Sequence, residues 1–203
     1  MEDMRLPQRL LRLFDRGNGL EVRVWTNLYR LFFGRIGKGA VICRADSVIS
    51  PDRIFIGDQV GIGHGARLDA LQEFAGQAYE GSIHIGDRTS IQPYFHVAAA
   101  AKMCIGHDIL IASRVYISDH DHQFGDASKH VGYQPLTVAP VRIEDFVWIG
   151  ENVVILKGVV VGHHAIIGAN SVVTHDIPPF AIVAGAPAKV IKMRPRSEPE
   201  PQG

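Results

Sequence analysis

Two histidines flanked by two carboxylates stand in the run Ser118-Asp119-His120-Asp121-His122, which opens a loop reaching Phe124. An imidazole titrates near neutrality without special surroundings, so a histidine here can take a proton from an alcohol or an amine at ordinary pH. A neighbouring carboxylate can hold the ring in one tautomer and stabilise it once protonated, which makes Asp119 or Asp121 the orienting group. A lone loop histidine is ordinarily a surface residue. A D-H-x-H cluster placed where a regular pattern stops reads instead as general-base chemistry. Neither cysteine is placed as a nucleophile, since Cys104 sits just before a patterned isoleucine and Cys43 just after one. They are far apart and in no C-x-x-C pairing, which argues against a disulfide framework and a thiolate metal site and fits a reducing compartment.

The pattern that stops at this cluster is a six-residue one. Ile143, Ile149, Ile155, Val161, Ile167 and Val173 follow one another without a gap. Before them stand Ile105, Ile111, Ile117, then Ile85, Ile91, Val97, then Ile56, Ile62, Leu68, and more loosely Ile36, Ile42, Val48. Several are followed by glycine, and two positions ahead of the last run sit Val147, Val153, Val159, Ala165 and Ser171. A period of six fits neither the 3.6 of a helix nor long alternation, so each hexad is a short strand and a turn. Three such sides close a triangular coil, and stacked coils bury the repeated side chains in columns. Trp148, Val154, Val160, Ile166 and Val172 then face outward, and an exposed apolar row signals contact with another surface, or with the chain's own C-terminal tail.

Three segments interrupt the period: 69–82, 98–104 and 119–140, the last rich in His, Asp, Gly and Pro. Loops on a rigid scaffold are where function concentrates. Ahead of the repeats, Leu6, Leu10, Leu13 and Phe14, then Trp25, Leu28, Leu31 and Phe32, have helical spacing around Gly17-Asn18-Gly19. The segment 1–35 is read as a cap over the open end of the coils; the alternative is peripheral membrane contact, because Arg5, Arg9, Arg12, Arg16, Arg23 and Arg30 line its polar side. The segment 193–203 is polar and proline-rich, and is expected to be disordered. With 203 residues and a formal net charge of zero, one domain is expected and no overall basic field recommends nucleic acid as a partner. The absence of a secretory signal and of an apolar run long enough to span a bilayer points to the cytoplasm.

The closing stretch carries Val147-Trp148-Ile149-Gly150, Ile167-Gly168-Ala169-Asn170-Ser171-Val172-Val173-Thr174-His175-Asp176-Ile177-Pro178 and Ala184-Gly185-Ala186-Pro187-Ala188-Lys189-Val190-Ile191. These resemble signatures of the hexapeptide-repeat acyltransferases, in the branch that modifies sugars and surface polysaccharides, and the resemblance covers 36–192. It implies an all-β fold, a left-handed parallel β-helix with an N-terminal helical segment and a long catalytic loop; the hand comes from the resemblance, since parallel crossovers are otherwise right-handed. It further implies acetyl-CoA as donor, a small or lipid-linked sugar as acceptor, O-acetyl transfer in polysaccharide biosynthesis, and a homotrimer with active sites between subunits. Matched without gaps from Ile105, the family's catalytic histidine falls on His122; a shift of two places it on His120. Trp148 matches the tryptophan beside the pantetheine, the backbone at Ala112 and Ala169 its amide partners, Thr174 the nucleotide end, and Lys189 and Lys192 the CoA phosphates. Gln92 falls where galactoside-type members bind the acceptor with Asn, and Ala100 where they carry an acidic group, which puts a galactoside acceptor in doubt.

Three other functions fit parts of the sequence. Transfer to an amino sugar is the nearest. A zinc enzyme of the same coil shape would recruit His120, His122 and His130, but leaves the Ala184 to Lys189 ending unexplained. A non-catalytic scaffold has no use for Asp119 to His122 beside Trp148. Gly34, Gly37, Lys38 and Gly39 lack a full phosphate-loop pattern and read as a turn, and His163-His164 as solvated.

Overall fold

A computed structural model describes residues 19–195, and over them the chain winds repeatedly through three sheets in turn. Face 1 runs from Arg35–Ile36 through Ile54–Ile56, Ser82–Ile85, Lys102–Ile105 and Arg142–Ile143 to Val160–Val161. Face 2 stacks Val41–Ile42, Gly61–Ile62, Ser90–Ile91, Leu110–Ile111, Trp148–Ile149 and Ile166–Ile167, then Ala181–Ala184 and an antiparallel Lys189–Met193. Face 3 holds Ser47–Ile49, Arg67–Ala70, His96–Ala99, Tyr116–Ser118, Val154–Ile155 and Val172–Val173.

The six-residue columns set the register. Ile85 pairs with both Ile56 and Ile105, Ile105 with Ile143, and Ile143 with Val161, all parallel. All five are buried. Each such side chain contributes about 1.5–3 kcal/mol of burial, and a one-residue slip would turn a whole strand's apolar set outward.

The glycines after the aliphatic residues serve close approach between coils. A Cβ on Gly86 would meet the backbone carbon of Gly106 at 2.6 Å, and one on Gly150 the amide nitrogen of Ala169 at 2.6 Å. The left-handed backbone position lies two residues further on and is filled mostly by larger side chains: Arg88, Asp108, Phe146, His164 and Phe180 between faces 1 and 2, all with φ of 55–62°. Stacking neighbours offset that strain. His164 lies between Phe146 and Phe180, with ring centroids 4.7 and 4.8 Å away, and Arg88 grips Asp108 through two bonds of 2.8 and 2.6 Å. Burial first, then the charges of His163 and Arg194, hold His164 below its ordinary pKa, so the stacked ring is favoured neutral. The adjacent His163 is part of the same ladder, its Nδ1 3.0 Å from that of His164.

All three interruptions fall on the corner between faces 3 and 1. Two are shorter than the period suggests. Asp69 and Ala70 still pair with Ala98 and Ala99, so the first begins at 71, and the second shrinks to Ala100 and Ala101 because Lys102–Ile105 rejoins face 1. The third, after Asp119, contains an antiparallel pair, His120–His122 with Leu136–Val138.

Of the N-terminal segment, 1–18 lie outside the described residues, and Gly19–Tyr29 forms one helix, α1. Thr26 Oγ1 accepts from the Ile42 N–H at 2.9 Å and Tyr29 OH from the Ala45 N–H at 3.0 Å, so α1 seals the first coil with a hydroxyl row as well as with Phe33. The apolar spacing suggested Trp25, Leu28, Leu31 and Phe32 instead, yet the last three are exposed. The reason is that the end of a β-helix presents unpaired backbone groups, which polar partners satisfy and leucines cannot. At the other end, Met193 completes the final strand rather than beginning a tail, and 196–203 lie outside the described residues. Among the described residues no helix is long and apolar enough to cross a membrane.

Candidate active site

Face 3 delivers Ile117 to the core and Ser118 to the corner, where the chain leaves the coil. Asp119 is fully buried there. Its Oδ1 accepts from the Ala100 N–H and its Oδ2 from the Ala101 N–H, each at 2.8 Å. The two-residue interruption of the coil above thus exists with both amides turned onto one carboxylate. His120 Nδ1 stands 2.9 Å from Asp119 Oδ1, and its side chain keeps 11% exposure. A carboxylate oxygen accepts at that distance, so Nδ1 is the donating nitrogen, and in the neutral ring the lone pair is then on Nε2. The arrangement is an oriented imidazole on a fixed, desolvated anion. Ser118 Oγ donates to the His120 carbonyl at 2.8 Å and accepts from its N–H at 3.2 Å, while the Ala139 N–H reaches the Asp119 carbonyl at 2.8 Å, closing the loop's neck.

His122 lies two residues on and so on the same side of the hairpin strand, but it is exposed and its ring meets Phe74 edge-on at 4.9 Å. Asp121 points the other way and pairs with Lys157. Its carboxylate is taken up by that lysine, whereas Asp119 is the one beside His120. Phe74 belongs to a small hairpin in the first interruption, Glu73–Phe74 with Gln77–Ala78, and Tyr79 OH just after it accepts from the Leu136 N–H at 2.7 Å. The two insertions are thereby fastened together over the corner. His130, in the same loop, turns its Nδ1 to the Gly132 N–H at 3.1 Å. Among the described residues no group of three or more His, Cys, Asp or Glu is disposed to hold a metal.

A second polar cluster, which the sequence did not reveal, sits on face 3 beside this corner. Asp69 accepts from Ser47 Oγ at 2.6 Å and from Arg67 at 3.1 Å, with His96 Nε2 at 3.4 Å. Burial raises the Asp69 pKa, but the hydrogen bonds from His96 and Ser47 and the Arg67 charge outweigh it and hold the carboxyl below its ordinary value. Its members are two or more residues apart in three different coils, so only the strand register, Ser47 and His96 opposite Arg67, assembles them.

The remaining residues implied by the resemblance are spread around the prism. Trp148 is half exposed on the outside of face 2, between Leu110 and Ile166. Gln92, Ala112 and Ala169 form part of the corner between faces 2 and 3. The Ala112 N–H is already given to the Ile149 carbonyl at 2.9 Å, so only its carbonyl side is left for a ligand amide. Thr174 follows face 3, two coils beyond Ser118, with Oγ1 2.8 Å from His175 Nδ1. Lys189 and Lys192 are exposed on the last strand. Ala100, in place of an acidic group, supplies its amide to Asp119. Within one chain the imidazole and the tryptophan are thus on different sides of the prism.

Comparison with known proteins fixes the family. The model of the bacterial transferase hexapeptide (six repeats) matches 140–175. The Escherichia coli K12 protein named for lipopolysaccharide biosynthesis O-acetyl transfer, WbbJ, is 38% identical over 146 residues, 68% of this chain and 71% of that one. The chain belongs to the hexapeptide-repeat acyltransferases. The galactoside O-acetyltransferase of the same organism is 36% identical over 115 residues, 57% of this chain and 56% of that enzyme. A hexapeptide-repeat acetyltransferase of Vibrio cholerae, solved with acetyl coenzyme A, superposes with a TM-score of 0.58 at 25% identity, over 92% of this chain and 84% of that one. The fold of this acyltransferase is accordingly the left-handed parallel β-helix.

Proposed function

We propose that this acyltransferase moves an acetyl group from acetyl-CoA to a sugar hydroxyl, with His120 as the base and Asp119 as the group that orients it. The observation carrying this reading is the 2.9 Å contact between His120 Nδ1 and a carboxylate that is fully buried and held by two backbone amides. Nε2 takes the hydroxyl proton as that oxygen bonds to the thioester carbonyl carbon. When the C–S bond breaks, the imidazolium returns its proton to sulfur, releasing acetylated sugar and CoA thiol, and the imidazole is ready again. The donor side is made by Trp148, the backbone at Ala112 and Ala169, Thr174, and the charges of Lys189 and Lys192. Lysine there offers a point charge to phosphate rather than a fork.

Because Trp148, Lys189, Lys192 and the backbone at Ala112 and Ala169 stand on or beside face 2, away from the His120 corner, a complete site needs the corner of one chain set against face 2 of another, which favours a homotrimer. Lipopolysaccharide-type acceptors are the reading best supported by WbbJ, the relative that shares the larger part of its length. Gln92 and the Asp69, His96 and Arg67 cluster are the acceptor-facing polar groups of this chain.

Thiol release from acetyl-CoA tests the base, with hydroxyl sugars in one arm and amino sugars in another. His120→Ala is expected to lose about 10²–10⁴ in kcat, and Asp119→Asn a comparable factor, while His122→Ala retains most of its rate. Full activity of His120→Ala with loss in His122→Ala would transfer the role two residues along, and turnover confined to amino sugars would replace the acceptor class.

A further inference from the structure

Helix α1 has two faces with different fates. Thr26, Tyr29 and the following Phe33 are buried against the first coil, whereas Leu20, Val24, Leu28, Leu31 and Phe32 are 78%, 56%, 40%, 75% and 56% exposed. Leu20, Val24 and Leu28 recur every four residues and so form one stripe along the helix, which the next turn of chain extends with Leu31 and Phe32. Five large apolar side chains left in water on one edge of a small protein form a docking surface.

The charges beside the stripe say what docks there. Arg9, Arg16, Arg23 and Arg30 are spaced by seven, and Arg5, Arg9, Arg12, Arg23 and Arg30 each immediately precede Leu or Val. Arginines therefore recur among the apolar residues through the whole N-terminal sequence, and in the described part Arg23 lies on α1 and Arg30 directly after it. Between 4 and 35 the sequence has seven arginines against Asp15 and Glu21 alone. A second copy of the same surface would bring arginines together with few acids to meet them. A bilayer carrying negative headgroups satisfies both kinds of side chain at once, taking the apolar side chains into the acyl boundary and the guanidiniums to the phosphates.

We propose that this stripe seats the protein on an anionic lipid surface, with the β-helix standing off from the membrane on its α1 end. Arg30 donates to the Ile36 and Gly37 carbonyls at 2.7 and 3.0 Å, which fixes its charge where α1 meets the first coil, and Arg23 is the exposed arginine on α1 itself. The inference is independent of which histidine is the base and of the acceptor.

Co-sedimentation of the full chain with vesicles of phosphatidylcholine alone, or with phosphatidylglycerol added, reads the effect. Binding is expected only to the anionic vesicles, weakened by salt, with Leu31→Glu combined with Phe32→Glu at least about tenfold weaker and Arg23→Glu about fivefold or more weaker. Both Leu31 and Phe32 are exposed, so the double variant is expected to keep its fold, checked by thermal melting and by acetyl transfer to a soluble acceptor. Equal partition of wild type and double variant, or no binding to anionic vesicles, overturns the proposal. Concentration-dependent association lost in the double variant without any vesicle binding overturns it too and gives the stripe to a second copy.

Discussion

At the scale of single residues, the corner holds two carboxylates that do different work. Asp119 has no exposed surface and spends its acceptor capacity on two amides and one imidazole, which is a positioning arrangement. Asp69 is tied to Ser47, Arg67 and His96, and its depressed pKa links it to stability. A carboxyl whose folded pKa lies below its unfolded one stabilises the fold above about pH 4 and ceases to do so as pH falls through the folded value. The melting temperature of the wild type is therefore expected to fall more steeply between about pH 4.5 and 3 than that of Asp69→Asn, measured by calorimetry. Parallel curves would remove Asp69 from the acid response.

At the scale of the element, the hexad is a unit whose turn tolerates bulk in one place and excludes it in another. The left-handed position accepts Arg88, Asp108, Phe146 and His164, since side chains there point into their own ladder. Where a glycine stands two residues earlier, at Gly86, Gly106 and Gly162, it faces the backbone of the neighbouring coil. Gly86→Ala places a methyl 2.6 Å from the Gly106 carbon, and backbone has little room to move. A loss of about 1–3 kcal/mol is expected in urea unfolding, larger than for Arg88→Ala, which removes a partly exposed ion pair. A smaller loss in Gly86→Ala than in Arg88→Ala would mean that coil spacing yields more readily than side-chain ladders.

At the scale of the whole molecule, the proposed base lies at the corner between faces 3 and 1 and Trp148 lies on face 2, and a rigid prism cannot fold them together. Two inactive variants test whether neighbouring chains complete each other. His120→Ala and a Trp148 variant that blocks the donor side are each expected to be inactive alone, yet co-refolded in equal amounts they should recover about a quarter of the wild-type rate, the share of interfaces that draw an intact histidine from one chain and an intact tryptophan from the other. No recovery, with mixed assembly verified by native mass spectrometry, would place the whole site within one chain.

Much of this protein was legible in its residues because the repeat is local. An aliphatic residue every sixth position, followed by glycine at several corners, dictates strand, turn and column with no knowledge of distant contacts, and the interruptions mark one corner. Asp119 and His120 are sequence neighbours, so their partnership was open to view as well. What remained hidden depends on register across coils, where residues 20 or so apart become adjacent. That register gives Asp119 the amides of Ala100 and Ala101 and so separates His120 from His122; it gathers Ser47, Asp69 and His96 from three coils. The burial of Thr26 and Tyr29 in preference to Leu28 and Leu31 was likewise a tertiary decision, because the open end of a β-helix offers backbone groups in need of hydrogen bonds, and apolar periodicity along one helix carries no information about that demand.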